Sequence, residues 1–193
     1  MPVEMTTHLD AQPSGLGVGA QPGRGPRAAK EAGAETIIVT GLAKDARKLE
    51  LARQFGATHT IDVEQEDTVE RVREITGGAL ADRAVDVSAF ATQPVLDAVA
   101  AVRPGGTIVL AGIKGMREVP IVSDQVILKN LRIQGMLGVG SWAYSQAIRV
   151  IASHRYPLEE MHTHTLSIDE VERGMRLLSG EDGGGAIHIT VKA

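Results

Sequence analysis

RAAKEAGAETIIVTGLAKDARKLELARQFGATHTIDV, residues 27–63, is the stretch whose reading decides the fold. It reads as helix, strand, helix, strand. Ala28, Ala29 and Ala32 favour helix, and Gly33 ends it. Residues 36–40 are a short β-branched run of the kind that a sheet buries on both faces. Gly41 turns the chain, and Asp45 stands where a helix N-cap belongs. Ala46, Leu49 and Ala52, with Leu51 and Phe55, then recur at helical spacing. Gly56 stops that helix, and residues 58–63 open another strand. Such alternation argues an α/β fold, a parallel sheet with helices packed on its faces.

Composition bounds the rest. A chain of 193 residues fits one domain, or one and a fraction. An apolar share of 43% suffices for a core, but aromatics at 3% leave Ala, Val, Ile and Leu to fill it. A net charge of -4 carries no basic footprint, which argues against a nucleic-acid partner. The count of zero cysteines removes disulfides and thiolate metal ligands and fits a cytoplasmic protein. No apolar run approaches bilayer length, and no basic-then-apolar leader opens the chain. The expectation is a soluble protein with no membrane partner.

Beyond residue 63 the alternation continues. Asp67 or Thr68 caps a helix with Val69, Val72 and Ile75 inward. Residues 84–87 read as a strand, and Ser88 to Thr92 fall at its carboxyl end, where open α/β sheets bind ligands. A helix with Val95, Val99 and Val102 on one face follows, Pro94 being tolerated in its first turn. Pro104-Gly105-Gly106 turns into a strand at 107–111. A short helix at 123–128, a strand at 131–134 and a loop at 135–140 come next. Residues 141–151 read as helix and 161–166 as strand. Ser167-Ile168-Asp169-Glu170 is a capping box for a helix carrying Val171, Met175 and Leu178. Residues 187–191 alternate as a last strand.

The phrases KEAGAETIIV, RKLELARQFGATHTIDV and VRPGGTIVLAGI, in that order, resemble the cofactor domain of the zinc-type medium-chain dehydrogenases, the alcohol, polyol and threonine dehydrogenases. The resemblance covers about residues 27–192. It implies a Rossmann-type doubly wound parallel sheet that binds NAD or NADP. It also implies a sheet-edge strand, here 131–134, that pairs with its copy in a homo-oligomer. The C-terminal strand returns, in the family, to a catalytic domain that holds zinc on Cys, His and Glu. That domain is missing from this chain, and no metal ligand is assigned to it. His162 and His164 share ligand-like spacing on one strand, but no third ligand stands nearby.

Residues 1–26 are rich in Gly, Pro and Gln and read as irregular. Counting back from Lys30, the family's Gly-x-Gly-x-x-Gly turn falls on Gly17-Val18-Gly19-Ala20-Gln21-Pro22, with Pro22 in place of the third glycine. Before it, where the family has a buried first strand, stand residues 11–16 with Pro13 and Gly15. A proper first strand is therefore expected to be lacking.

The resemblance maps further cofactor contacts. Many NAD-specific members end the second strand with an acid on the adenosine ribose. Here Thr40-Gly41 occupies that place, which removes a repulsion toward the 2′-phosphate of NADP. The alternative is that Asp45 replaces the missing acid; Lys48 matches a basic residue that the family sets near the ribose, or is a plain exposed helix lysine. Ser88 and Ala89, with Ala111, Gly112 and Ile113, correspond to contacts along the cofactor. Met136, Leu137 and Gly138 match the loop over the nicotinamide. Gly184-Gly185-Ala186 stands where many relatives place a basic residue. No residue is assigned a catalytic role.

The domain reading is 1–26 irregular, 27–140 an incomplete NAD(P)-binding domain, and 141–193 a C-terminal part returning toward the missing domain. The functional reading is the cofactor-binding portion of a zinc-type NAD(P)-dependent alcohol or polyol dehydrogenase, inactive by itself. The rivals are a non-catalytic nucleotide-binding or subunit-pairing module, a non-functional truncated product, and a zinc-independent medium-chain reductase.

Overall fold

The computed structural model describes residues 3–7, the first of its stretches, by backbone alone, and residues 29–138, 140–181 and 185–193 in full. Strand β2 spans Thr36–Gly41 and β3 spans His59–Asp62. Between them a 3-10 turn at Ala43–Asp45 leads into helix α1, Ala46–Gln54. Ile37, Ile38 and Val39 are fully buried, as expected where both faces of a strand are covered. Helix α1 supplies Leu49 and Ala52 to the packing around Ile37 and Val39. Helix α2, Thr68–Ile75, begins as its sequence demands, with the Asp67 carboxylate accepting the Glu70 amide at 2.9 Å.

The second half repeats the pattern. Strand β4 is Ala81–Asp86, helix α3 Gln93–Ala101, strand β5 Val102–Leu110, helix α4 Ser123–Leu128 and strand β6 Arg132–Gly135. Helix α3 ends on carbonyls that lack intrahelical partners. Lys129 donates to two of them, Val99 O at 2.8 Å and Ala100 O at 2.9 Å, and its burial pushes its ammonium pKa down. Ile38, Ile61, Val72, Ala84, Val99 and Ile108 belong to one continuous core.

The expected lack of a first strand is corrected by the backbone. Strand β1, Val3–Thr7, lies in the centre of the sheet. It runs parallel to β2 from Val3↔Thr36 to Thr6↔Val39, and to β4 from Glu4↔Arg83 to Thr7↔Asp86. The region 1–26 is thus not irregular throughout. Residues 11–16, where the spacing to the glycine turn had placed that strand, lie outside the described residues. The physical reason is pairing: a central strand must fill two hydrogen-bond ladders, and five residues free of proline and glycine do so. The sheet is wholly parallel in the order β3-β2-β1-β4-β5-β6, the doubly wound dinucleotide-binding topology.

Two α-helices accompany a two-stranded parallel sheet of β7, His162–Ser167, and β8, His188–Lys192. Helix α5 is Ser141–Ala152 and α6 is Val171–Ser179. The capping box at Ser167 and Glu170 is formed, and Gly180 closes α6 in the left-handed conformation. Of the expected Val171, Met175 and Leu178, only Leu178 packs on the small core of this part. Gly174 and Leu177 are buried there, while Val171 and Met175 are exposed. A Cβ at Gly174 would sit 3.0 Å from Leu166, so the small residue lets the helix approach the sheet. Glu31 ties this part to the larger sheet, accepting from Arg155 and from the Tyr156 hydroxyl, each at 2.9 Å. The Tyr156 ring also packs on Phe55 with centroids 6.1 Å apart. Among the described residues no helix is long and apolar enough to cross a membrane.

Candidate functional site

Parallel strands deliver their carboxyl ends to one edge of the sheet, and the chain leaves β1 toward β2 on one side and β4 on the other. That reversal opens a crevice at the β1/β4 boundary. The predicted residues Thr40, Gly41, Ser88, Ala89, Ala111, Gly112, Ile113, Met136, Leu137 and Gly138 all fall at this edge, at or just beyond β2, β4, β5 and β6. Gly17 and Gly19 lie outside the described residues, as does Gly184.

On the β2 side, Thr40 is 1% exposed and Gly41 packs on Leu49. Asp45 is 2% exposed. It makes no N-cap bond, because its Oδ1 accepts from Lys48 Nζ at 2.6 Å. The structure thus joins Asp45 and Lys48 to each other, and Asp45 Oδ2 is buried with no hydrogen-bond partner among the described residues. Glu64 reaches across from beyond β3 and accepts the Ala43 amide at 2.8 Å.

On the β4 side the sequence reading missed the central groups. Asp86 ends β4 fully buried. Its Oδ1 accepts from the Ser88 amide at 3.1 Å and the Ser88 hydroxyl at 2.6 Å. Lys114, beyond β5, places Nζ 2.6 Å from Asp86 Oδ2, 2.6 Å from Ser88 O and 2.8 Å from Ser88 Oγ. The two Ser88 contacts are hydrogen bonds donated by the ammonium, and the Asp86 contact is an ion pair. A Ser–Lys pair at hydrogen-bond distance invites a nucleophilic reading. It fails here, since Ser88 is fully buried and its hydroxyl donates to Asp86. The only sequence signal was indirect: an Asp at a strand end and a Lys at the end of its neighbour.

Ile113, Met136 and Leu137, by contrast, are bare, at 64%, 55% and 90% exposure. Three large apolar side chains uncovered on the ligand-binding edge make an apolar wall of the kind that lines small-molecule sites. A planar ring suits such a wall, whereas Asp45 Oδ2 is buried and offers no exposed acceptor on the β2 side.

No comparable fit exists for zinc. A register shift separates His162, which pairs with His188, from His164, which pairs with Ile189. Among the described residues no group of three or more His, Cys, Asp or Glu is placed to hold a metal ion.

The sequence profile of the zinc-binding dehydrogenases matches residues 26–153. A probable alcohol dehydrogenase of Mycobacterium tuberculosis is 42% identical over 165 residues, 83% of this chain and 45% of that protein. L-threonine 3-dehydrogenase of Bacillus subtilis is 32% identical over 188 residues, 92% of this chain and 52% of that protein. The chain therefore spans about half the length of these relatives. Among solved structures, a Sinorhizobium meliloti protein assigned as a zinc-binding dehydrogenase and bound to NADP superposes with a TM-score of 0.81 at 22% identity. It is covered to 52%, and this chain to 100%. Benzyl alcohol dehydrogenase of Acinetobacter calcoaceticus superposes with a TM-score of 0.79 at 23% identity, over 99% of this chain and 49% of that one. Topology and these likenesses agree, and the chain belongs to the zinc-binding dehydrogenase family.

Proposed function

We propose that this chain is the cofactor-binding portion of an NAD(P)-dependent alcohol or polyol dehydrogenase, holding the dinucleotide along the carboxyl edge of the six-stranded sheet. The observation that carries the reading is the doubly wound strand order with a bare apolar wall, Ile113, Met136 and Leu137, at the carboxyl ends of β5 and β6. The β1–β2–β3 half takes the adenosine part and the β4–β5–β6 half the nicotinamide part. When bound, the nicotinamide supplies hydride transfer to or from the substrate carbon. The chain's own residues orient it: the apolar wall shields one face of the ring from water, and the rigid β4 and β5 ends set its depth.

The chain spans about half the length of its relatives, and this reading has substrate activation depend on groups beyond that half, the chain by itself turning over no alcohol. The Asp45–Lys48 pair and the absence of an acid at Thr40-Gly41 support binding of both NAD and NADP. The lack of cysteine supports the cytoplasm as its compartment. Calorimetric titration with each nucleotide, run beside a turnover assay with alcohols and polyols, tests the reading. Saturable binding of both nucleotides without turnover is expected. Turnover by the chain alone contradicts the first claim, and an NAD preference beyond about a hundredfold, roughly 2.7 kcal/mol, contradicts the second.

A further inference from the structure

We propose that Lys114 is a positioning residue that fixes the nicotinamide-side wall of the crevice. The inference rests on the cofactor reading above. Two loops form that wall, residues 87–92 after β4 and 111–117 after β5. They are joined at several points. The Phe90 amide donates to Ile113 O at 3.0 Å, and Arg117 donates to Phe90 O at 3.1 Å. The Arg117 guanidinium lies 6.0 Å from the centre of the Phe90 ring. Gly115 stands where any Cβ would meet that ring at 2.8 Å.

The loops carry strain. Phe90 and Met116 have φ of 63° and 61°, a region that bulky residues avoid. Such backbone persists only where its surroundings over-determine it. Among the inter-loop contacts, Lys114 makes the most buried one, since its acceptors Asp86 and Ser88 are both fully buried. Arg117 is exposed and Met116 is 99% exposed. Lys114 is also the residue next to Ile113. The side chain of Ile113 is 64% exposed, so its placement depends on how the backbone beside it is anchored. The β2 side has fastenings of its own in Glu64–Ala43 and Lys48–Asp45. Loosening the Lys114 anchor therefore affects one half of the crevice and spares the other.

The test uses Lys114→Met and the double variant Asp86→Asn/Lys114→Met. The double variant leaves no uncompensated buried charge, so it keeps the test open if the single variant fails to fold. NADPH affinity is read by nucleotide fluorescence, AMP affinity by calorimetry, and stability by thermal unfolding. The expected result is NADPH binding weakened about tenfold or more, with AMP affinity unchanged. Unchanged NADPH affinity in a folded variant overturns the proposal. So does a parallel loss of NADPH and AMP affinity, which marks a merely structural role. If the unaltered chain binds neither NADPH nor AMP, the cofactor reading itself fails and the proposal falls with it.

Discussion

Gly112 shows how tightly the β4 and β5 ends are locked. A Cβ built there would lie 2.0 Å from the Ser88 carbonyl oxygen, against backbone that has nowhere to go. Gly112→Ala should cost at least about 1–3 kcal/mol. For a chain of this size each kcal/mol lowers the melting temperature by about 2–4 °C. Gly135→Ala is the control: no atom lies within 4 Å of its added Cβ, and a change within about 0.5 kcal/mol is expected. Equal melting temperatures for the two variants contradict the packing described. Glu170 gives a pH signature at the same scale. The Ser167 amide above all, then Arg173 and the Ser167 hydroxyl, hold its carboxyl below the usual glutamate range. A lowered folded pKa means stabilisation that is present above the unfolded value, about 4.3, and lost as pH falls through the folded one. The protection of amides at the start of α6, taken relative to their intrinsic exchange rate, should therefore fall in acid, and Glu170→Gln should remove that pH dependence. An unchanged acid response in the variant contradicts the assignment.

Elements were legible where local chemistry and tertiary context agree. The β-branched run at 36–40 became β2, the Asp67 cap and the Ser167 capping box formed, and α5 begins at Ser141 as read. Boundaries moved where composition misleads. Strand β4 starts at Ala81, earlier than expected, because Asp82 and Arg83 look like loop residues. Strand β5 includes Pro104, Gly105 and Gly106, which read locally as a turn. Helix α6 turns Gly174 and Leu177 inward because the small two-stranded sheet offers space only for a small residue beside Leu166. The Asp86–Lys114 pair was not legible at all. Each residue alone reads as a solvated charge, and only the adjacency of β4 and β5 brings them to 2.6 Å. Strand β1 is the largest correction, and it makes a prediction. A strand bonded to two neighbours exchanges its amides slowly. Protection of residues 3–7 should match that of β5 within the same cooperative unit. Fast exchange there contradicts a central β1.

At the scale of the molecule, the chain presents a doubly wound sheet whose β6 edge is open. All four residues of β6 are exposed, and Ile127 and Leu128 of α4 are bare beside it. An unpaired edge with apolar flanks is a template for a second copy. We propose pairing of two chains through β6, and light scattering at high concentration should report a dimer or larger species; a monomer contradicts it. The small sheet covers its own apolar surface at Leu166, which is 6% exposed against Leu177 and Ala186. The central claim concerns the opposite feature, the carboxyl edge as a dinucleotide site. Amide chemical-shift mapping during titration with NADPH tests it most directly. The account predicts saturable shifts, with a dissociation constant below about 1 mM, at Gly41, at Ala111, Gly112 and Ile113, and at Met136, Leu137 and Gly138. Absence of saturable shifts at millimolar NADPH, or shifts confined to β7 and β8, would contradict it.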